Sequence, residues 1–355
     1  MQNPKRLNYI GSKFQLLDWL HDSILAKTGW TDFRGKTVAD LFAGTGIVSA
    51  FFRSKKARVI SNDAELYSAV ITEAFTSGRY TETVKEGIAK LNGELGAKMH
   101  EEFRGPIARI YSPADGGERM FFTSDNARRI DYLRARIEET QGISASEKNF
   151  LLASLLLSAD AVSNVPAVYG CYLKNFKAKA NKPLLLTPIH TDGFPAVAGS
   201  RTTRANVIGL PVEADAVYLD PPYNERQYSK NYFPLNSIAL KPEEAEAIPV
   251  KGKTGIPEGC FLSPFCRREP EVLAAFREVL KGLRAEWVFL SYNSEATVSR
   301  EALTKMLEEF GEVSVLEKDY KRFKSFEYNE KGCVVELLFC LKMRGGPGLA
   351  DPRPE

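Results

Sequence analysis

The feature that most constrains the fold is a short apolar strand that runs into a Gly-x-Gly turn and then a helix. Residues 36–49 read KTVADLFAGTGIVS, with Gly44 and Gly46 in the turn. Glycines let the backbone pass close to a ligand, as in the nucleotide-binding βα turns of α/β sheets. Ser49 replaces the third glycine of the dinucleotide fingerprint, and Asp40 at the strand end would repel a pyrophosphate. The turn therefore predicts an α/β sheet whose ligand carries a positive charge.

A second strand end lies at residues 216–223, which read AVYLDPPY. The apolar run predicts a buried strand, and two consecutive prolines must end it because each lacks an N–H and fixes its own φ. Asp220 is thus held at the carboxyl end of a strand, where open α/β sheets bind ligands. Its carboxylate and the Pro221 carbonyl can accept hydrogen bonds from an amino group, while Tyr223 offers a face for a planar ring. A nucleobase amine fits all three groups, and a plain strand exit with a solvated Asp is the alternative.

Two further segments suit a ligand at the same edge. Residues 57–63 predict the second strand, and Asp63 follows the glycine turn by about 20 residues, where an acid typically binds ribose hydroxyls. Ser12 is a candidate cap for a helix predicted from Phe14 to Ala26, with Lys13 beside it. A helix start with a lysine suits an anionic group. An unpaired surface Asp and an ordinary capped helix are the respective alternatives.

Composition sets the remaining bounds. The chain has 355 residues, 44% hydrophobic and 26% charged, and a net charge of +3, which is ordinary for a soluble globular protein. This mild basicity does not by itself indicate nucleic-acid binding. The five cysteines form no Cys-x-x-Cys pair and the three histidines are scattered, so we expect no metal site and a reducing, cytoplasmic location. No stretch approaches transmembrane length, so we expect no membrane association, and we expect residues 344–355 to be a disordered tail.

Residues 64–200 do not continue the strand–helix alternation. They predict helices over Glu65–Ser77, Thr81–Met99, Asp125–Glu139 and Glu147–Val162, with Ser146 as a cap of the last. This stretch is too long for a connection inside a compact sheet. We therefore predict an inserted, mainly helical subdomain.

Two runs combine basic and aromatic residues. Residues 168–182 contain four lysines, three aromatics and no acid, and residues 318–324 form a similar run. Lysines neutralise phosphates and aromatics stack on exposed bases. The candidate DNA contacts are Lys174, Lys177, Lys179, Arg201, Arg204, Lys321 and Arg322. Solvated loops with aromatics anchored in the core are the alternative.

The remaining elements complete the sheet. We predict a third strand at Asn206–Ile208, a helix over 271–283 and a fifth strand at 286–293. For the three aromatics in residues 227–240, contact with a target base and core packing of a helix are the alternatives. Val313–Glu317 and Val334–Leu341 should pair as a closing antiparallel hairpin.

The motifs together resemble one known family. Asp-Pro-Pro-Tyr is the signature of amino-group DNA methyltransferases, and its extension NERQY resembles the D12 class of adenine-N6 enzymes. The segments YIGSK, starting at Tyr9, and DLFAGTG are similar to the cofactor motifs of that class. The resemblance runs from Tyr9 to about Phe326 and implies a Rossmann-like α/β methyltransferase sheet of about seven strands. It places the catalytic domain at 1–63 and 201–343, with the target-recognition subdomain inserted at 64–200.

The resemblance also implies the chemistry. It names S-adenosylmethionine as the cofactor, with Lys13 at its carboxylate, Asp63 at its ribose and Asn206 near its adenine, although an acid often occupies the last place. The implied cofactor contacts are Tyr9, Lys13, Asp40, Phe42, Gly44, Gly46, Asp63, Asn206 and Asp220. The implied catalytic residues are Asp220, Pro221, Pro222 and Tyr223, acting without a metal.

The implied substrate is an adenine flipped out of double-stranded DNA. A cognate restriction endonuclease is a further candidate partner, on which the sequence does not decide. Cytosine-N4 methylation, RNA methylation and a non-catalytic DNA-binding role on the same scaffold remain open as alternatives.

Overall fold

The computed structural model describes Leu7, Tyr9 and residues 11–189, 194–320 and 334–345. Its main element is a seven-stranded sheet. The strands are β1 (Thr37–Asp40), β2 (Arg58–Asp63), β3 (Arg201–Arg204), β4 (Ala216–Leu219), β5 (Trp287–Asn293), β6 (Gly311–Tyr320) and β7 (Val334–Met343). Two pairings of two-residue strands lie apart from it, Val212–Glu213 with Leu283–Arg284 and Val250–Lys251 with Ile256–Pro257.

The order of strands across the sheet is β6-β7-β5-β4-β1-β2-β3. The five neighbouring strands β5, β4, β1, β2 and β3 are parallel, while β7 is antiparallel to both β5 and β6. The chain leaves β1 toward β2 on one side and returns to β4 on the other, so the order reverses between β1 and β4. Open α/β sheets bind ligands at such a reversal, outside the carboxyl ends of the strands.

Both faces of the sheet are covered, as a parallel sheet requires. Val217 and Leu219 face an apolar cluster that includes Phe276 and Leu303. Tyr218 between them faces the opposite cluster, which includes Phe52. This alternation buries β4 completely and fixes the face of the sheet on which each of its side chains lies.

Twelve helices complete the described chain. They are α1 (Leu17–Thr28), α2 (Ile47–Ser54), α3 (Leu66–Thr76), α4 (Glu82–Gly96), α5 (Pro106–Tyr111), α6 (Ser124–Glu139), α7 (Ala145–Ala161), α8 (Tyr228–Asn231), α9 (Phe233–Ala239), α10 (Pro242–Ala247), α11 (Glu269–Lys281) and α12 (Arg300–Leu307). Short 3₁₀ turns occur at Lys13–Leu16, Ala114–Gly116 and Pro264–Cys266. No helix in these ranges is long and apolar enough to cross a membrane.

Helices α3 to α7 share one apolar cluster with α9, which follows the Asp-Pro-Pro-Tyr turn in sequence. Helix α3 lies against β2 and β3, whereas α4 and α6 pack on α7. The predicted helical stretch is therefore present, and its apolar core also includes residues of α9, which lie much later in the sequence.

Several sequence predictions need correction. The third strand is Arg201–Arg204 and not Asn206–Ile208, because pairing with β2 selects a polar edge strand with little apolar pattern. Helix α7 is capped by Ser144, whose Oγ accepts from the Glu147 amide at 3.2 Å, and not by Ser146. The segment 227–240 divides into two short helices at Tyr232. The closing hairpin is confirmed and is longer than predicted.

Candidate active site

A cavity of about 940 Å³, including its open mouth, lies outside the carboxyl ends of the central strands. Its wall brings the glycine turn and the Asp-Pro-Pro-Tyr turn together. The lining residues include Tyr9, Lys13, Phe42, Gly44, Asp63, Asn206, Asp220, Pro221, Pro222 and Tyr223.

The two glycines of the turn serve different surroundings. Gly44 has φ +53°, and a Cβ there would lie 3.1 Å from the Tyr9 hydroxyl. Gly46 has φ +73°, and its Cβ would lie 3.0 Å from the Thr72 Cα of α3. Both positions require glycine for conformation and for space. Gly44 lines the cavity, whereas Gly46 allows α2 and α3 to approach each other.

Asp63, at the end of β2, holds the glycine turn in place while facing the cavity. Its Oδ2 accepts a hydrogen bond from the Gly44 amide at 2.8 Å, and its Oδ1 accepts from the Glu65 amide at 2.9 Å. Burial raises the pKa of Asp63, and these two bonds oppose that shift. Asp63 thus lines the cavity, and its contact with ribose hydroxyls stays a prediction.

Asp40 is placed differently from the expectation. Its carboxylate is 1% exposed and does not contribute to the cavity wall. Oδ2 accepts from the Ser49 hydroxyl at 2.6 Å, while Oδ1 has no hydrogen-bond partner among the described residues. Burial raises the pKa of Asp40 to about 7. A direct contact between this side chain and a ligand in the cavity is therefore not what the structure supports.

Hydrogen bonds hold Tyr223, in the turn after β4, at its hydroxyl and at its backbone carbonyl. The Tyr223 hydroxyl donates to Asp220 Oδ1, and the Tyr223 carbonyl accepts from the amide and hydroxyl of Thr297 at 2.9 and 3.1 Å. The Tyr223 ring packs edge-on against Tyr292. Burial raises the pKa of Asp220, and Lys13 and Tyr223 oppose that shift.

Lys13 lies under this turn and is 3% exposed. Its Nζ is 3.0 Å from Asp220 Oδ1 and 3.0 Å from Glu336 Oε1, and it also contacts the Tyr223 hydroxyl. Burial lowers the pKa of Lys13, but the two carboxylates outweigh it and leave the pKa raised. The ammonium is therefore enclosed by protein carboxylates, whereas the resemblance implied a contact with the cofactor carboxylate.

Two buried acids at the site were missed by the sequence analysis. Glu336 on β7 accepts from the Ser291 hydroxyl at 3.0 Å in addition to contacting Lys13. Glu65 lines the cavity two residues after Asp63, and burial raises its pKa to about 7 although the Asn236 amide donates to it at 2.6 Å. The position of Glu65 beside Asp63 was a usable signal, whereas Glu336 stands in an apolar strand without a motif.

Aromatic residues form another part of the wall, including Tyr9, Phe42, Tyr228, Phe261 and Phe265. Tyr9 stacks on Tyr232 with ring centroids 4.8 Å apart and an interplanar angle of 25°. Phe42 packs edge-on against Phe265 at 5.0 Å. Asn206 lies just beyond β3 in an exposed loop, and its Oδ1 accepts from the Ile208 amide at 3.2 Å.

The loop of residues 168–182, here named the lysine-rich loop, borders the Asp-Pro-Pro-Tyr turn through α8, because the Tyr169 amide donates to the Asn231 carbonyl at 2.8 Å. Lys174 is exposed. Lys177 Nζ donates to the Val165 carbonyl at 3.0 Å, and Lys179 Nζ to the Ser163 hydroxyl at 3.5 Å. Only Lys174 of the three thus presents its ammonium freely to solvent.

The other predicted DNA contacts lie elsewhere. Arg201 and Arg204 are exposed at the two ends of the edge strand β3, and Arg204 donates weakly to the Ala64 carbonyl at 3.4 Å. Lys321 and Arg322 lie outside the described residues.

Comparison with known proteins identifies the family of the chain. Residues 9–257 match the model of the D12 class N6 adenine-specific DNA methyltransferases, and the chain belongs to this family. It is 40% identical to type II methyltransferase M.CviAII of Paramecium bursaria Chlorella virus 1, over 94% of this chain and 98% of that protein. It is 37% identical to type II methyltransferase M.NlaIII of Neisseria lactamica, over 90% and 93% of the two chains.

A third relative is longer. Type II methyltransferase M.FokI of Planomicrobium okeanokoites is 31% identical, and the match covers 95% of this chain and 52% of that protein.

The present chain is thus a DNA methyltransferase that acts on the N6 amino group of adenine, and the family assignment decides against the cytosine-N4, RNA and non-catalytic alternatives. The family match ends before β5, so Glu336 lies beyond it.

Proposed function

We propose that S-adenosylmethionine is the methyl donor and that it binds in the cavity between the glycine turn and the Asp-Pro-Pro-Tyr turn, which we name the catalytic turn. The observation that carries this proposal is that both turns open into one cavity. The residues present fit such a group: Gly44 leaves no room for a Cβ, Asp63 offers a carboxylate for ribose hydroxyls, and the acids around the cavity favour a cationic ligand. When bound, S-adenosylmethionine supplies an electrophilic methyl group on its sulfonium.

The chain's own residues then orient and activate the adenine. Asp220 and the Pro221 carbonyl accept hydrogen bonds from the amino group, which localises the nitrogen lone pair that is otherwise spread into the ring. Tyr223 stacks on the base. A base inside the duplex cannot reach this cavity, so the adenine leaves the stack. The protein thus contributes orientation and electrostatics.

Binding of double-stranded DNA is proposed for the face that carries the lysine-rich loop. Lys174 is exposed on a loop that contacts α8, the helix following the catalytic turn. A phosphate contact there would hold the duplex close to the cavity mouth without reading its sequence. Residues 64–200 would act as the recognition part because they carry this loop, and Arg201 and Arg204 would extend the positive surface.

A cognate restriction endonuclease is proposed as a functional partner because two relatives that align over nearly their full length are named type II methyltransferases. The test is to methylate plasmid DNA with this protein and to map the modified adenines. An endonuclease that cuts the same site only when it is unmodified supports the pairing, and methylation scattered without a common site contradicts it.

The catalytic assignment is tested by Asp220→Ala, with Asp18→Ala on the exposed face of α1 as the matched control. We expect Asp220→Ala to lose methyl transfer by at least about 100-fold, the effect of removing a group that acts in the transition state. Radiolabelled methyl incorporation measures transfer, and titration calorimetry with S-adenosylmethionine measures cofactor binding, which should largely survive. Retained turnover in Asp220→Ala, or an equal loss in the control, contradicts the assigned role.

A further inference from the structure

The buried charges behind Asp220 form a set of three. Lys13, Asp220 and Glu336 come from the 3₁₀ turn before α1, the end of β4 and β7, and they meet with both Nζ-to-oxygen distances at 3.0 Å. Lys13 is 3% exposed and Glu336 is 4% exposed. With both acids ionised, two carboxylates and one ammonium carry a net charge of −1. We name this set the Lys13 cluster.

Isolated buried charges are costly, and such a set persists only when its members are paired and hydrogen-bonded. Glu336 has two donors, the Lys13 ammonium and the Ser291 hydroxyl, both at 3.0 Å from Oε1. The Tyr223 hydroxyl lies 3.5 Å from the same oxygen. Glu336 is therefore fixed in place and does not contribute to the cavity wall.

Without Glu336, Lys13 would weaken the Asp220 carboxylate as a hydrogen-bond acceptor. An ammonium that pairs with Asp220 alone neutralises the carboxylate that must accept hydrogen bonds from the adenine amino group. Sharing the ammonium between two carboxylates leaves negative charge on Asp220, on the side where the base binds. Positive charge develops on the amino nitrogen as the methyl is transferred, and a cluster of net charge −1 stabilises it.

We propose that Glu336 is a positioning residue for methyl transfer, which acts by holding the Lys13 ammonium between itself and Asp220. This inference rests on the proposed function. It assigns to β7 a part in catalysis that neither the Asp-Pro-Pro-Tyr motif nor the family match includes, since that match ends at residue 257.

The test uses the full-length protein and the pH dependence of kcat for methylation of duplex DNA. Lys13→Met removes the cation that favours ionised Asp220, so the acid limb of the profile should move to higher pH. Glu336→Gln removes a nearby negative charge, so the acid limb should move to lower pH, while kcat on the plateau falls by roughly 10- to 100-fold, as for other groups that orient a functional residue from behind. Substituting a residue that only stabilises the fold would leave the acid limb at its wild-type pH.

None of the other titratable groups near Asp220 is substituted in these variants. Asp40, Tyr218, Tyr223 and Tyr228 interact electrostatically with it. The matched control is Glu312→Gln, an exposed position on the neighbouring strand β6, which should keep the wild-type profile. The KM for S-adenosylmethionine should stay within about twofold in Glu336→Gln, because the residue does not line the cavity.

Glu336→Asp keeps the charge but shortens the side chain, so it should retain more activity than Glu336→Gln. Circular dichroism and thermal unfolding verify that each variant is folded, and Lys13→Met together with Glu336→Asp decides the question if Glu336→Gln does not fold. Wild-type kcat and an unmoved acid limb in a folded Glu336→Gln protein would overturn this inference alone. A wild-type protein that uses no S-adenosylmethionine would overturn the proposed function as well.

Discussion

Replacing Gly46 by alanine tests whether the glycine turn is required for conformation or for packing. Gly46 has φ +73°, and an added Cβ would lie 3.0 Å from the Thr72 Cα and 3.0 Å from Phe75 Cδ2. Both atoms belong to α3, which is held against β2 and β3 and cannot withdraw freely. The substitution therefore combines a left-handed backbone with overpacking.

Gly209→Ala separates these two contributions. Gly209 has φ +76° but no atom within 4 Å of the added Cβ. Its substitution should cost about 1–2 kcal/mol, the penalty for a side chain in the left-handed region. Gly46→Ala should cost the same amount plus about 1–3 kcal/mol for overpacking. The packing contribution is the difference between the two variants.

Urea unfolding followed by circular dichroism measures both free energies. Titration with S-adenosylmethionine should also show weaker binding in Gly46→Ala, because the clash displaces α2 and the turn that precedes it. Equal destabilisation by the two substitutions would refute the reasoning, since it would mean that α3 accommodates the extra methyl at no cost.

Three further predictions concern stability. The pKa values of Asp40, Glu65 and Asp131 are each raised to about 7 by burial, so the native state retains protons that the unfolded chain loses near pH 4. Stability should fall as the pH rises from about 4 to 7, and a melting temperature that increases between pH 5 and pH 7 would contradict this. Arg53→Met should cost about 3 kcal/mol in urea unfolding, because the buried guanidinium donates to three backbone carbonyls at 2.9–3.0 Å. Ser144→Ala removes a capping box and should cost about 1 kcal/mol, with Ser146→Ala near zero as its control.

Local signals carried most of what the sequence could predict. The glycine turn, the proline-terminated strand and Asp63 each depend on neighbours within a few residues, and all three are found at the predicted edge of the sheet. The third strand was misplaced because Arg201–Arg204 is a polar edge strand, whose pairing with β2 is a long-range fact.

The charged cluster could not have been predicted in the same way. Glu336 stands alone in an apolar strand, and its partner Lys13 lies at the opposite end of the chain. The expectation that Lys13 meets a cofactor carboxylate was reasonable from the helix start, but no local pattern reveals two protein carboxylates that arrive from β4 and β7. Asp40 was likewise assigned by its motif, whereas its burial depends on how α2 covers β1.

The apolar cluster that joins α3–α7 to α9 has a consequence for protein engineering. A chimera that exchanges only residues 64–200 between relatives would set a foreign helical surface against the native α9, just downstream of the catalytic turn. Mismatched packing there would shift that turn and lower activity at every DNA site. Grafts intended to alter the target sequence should therefore carry α8 and α9 with the inserted segment as one block.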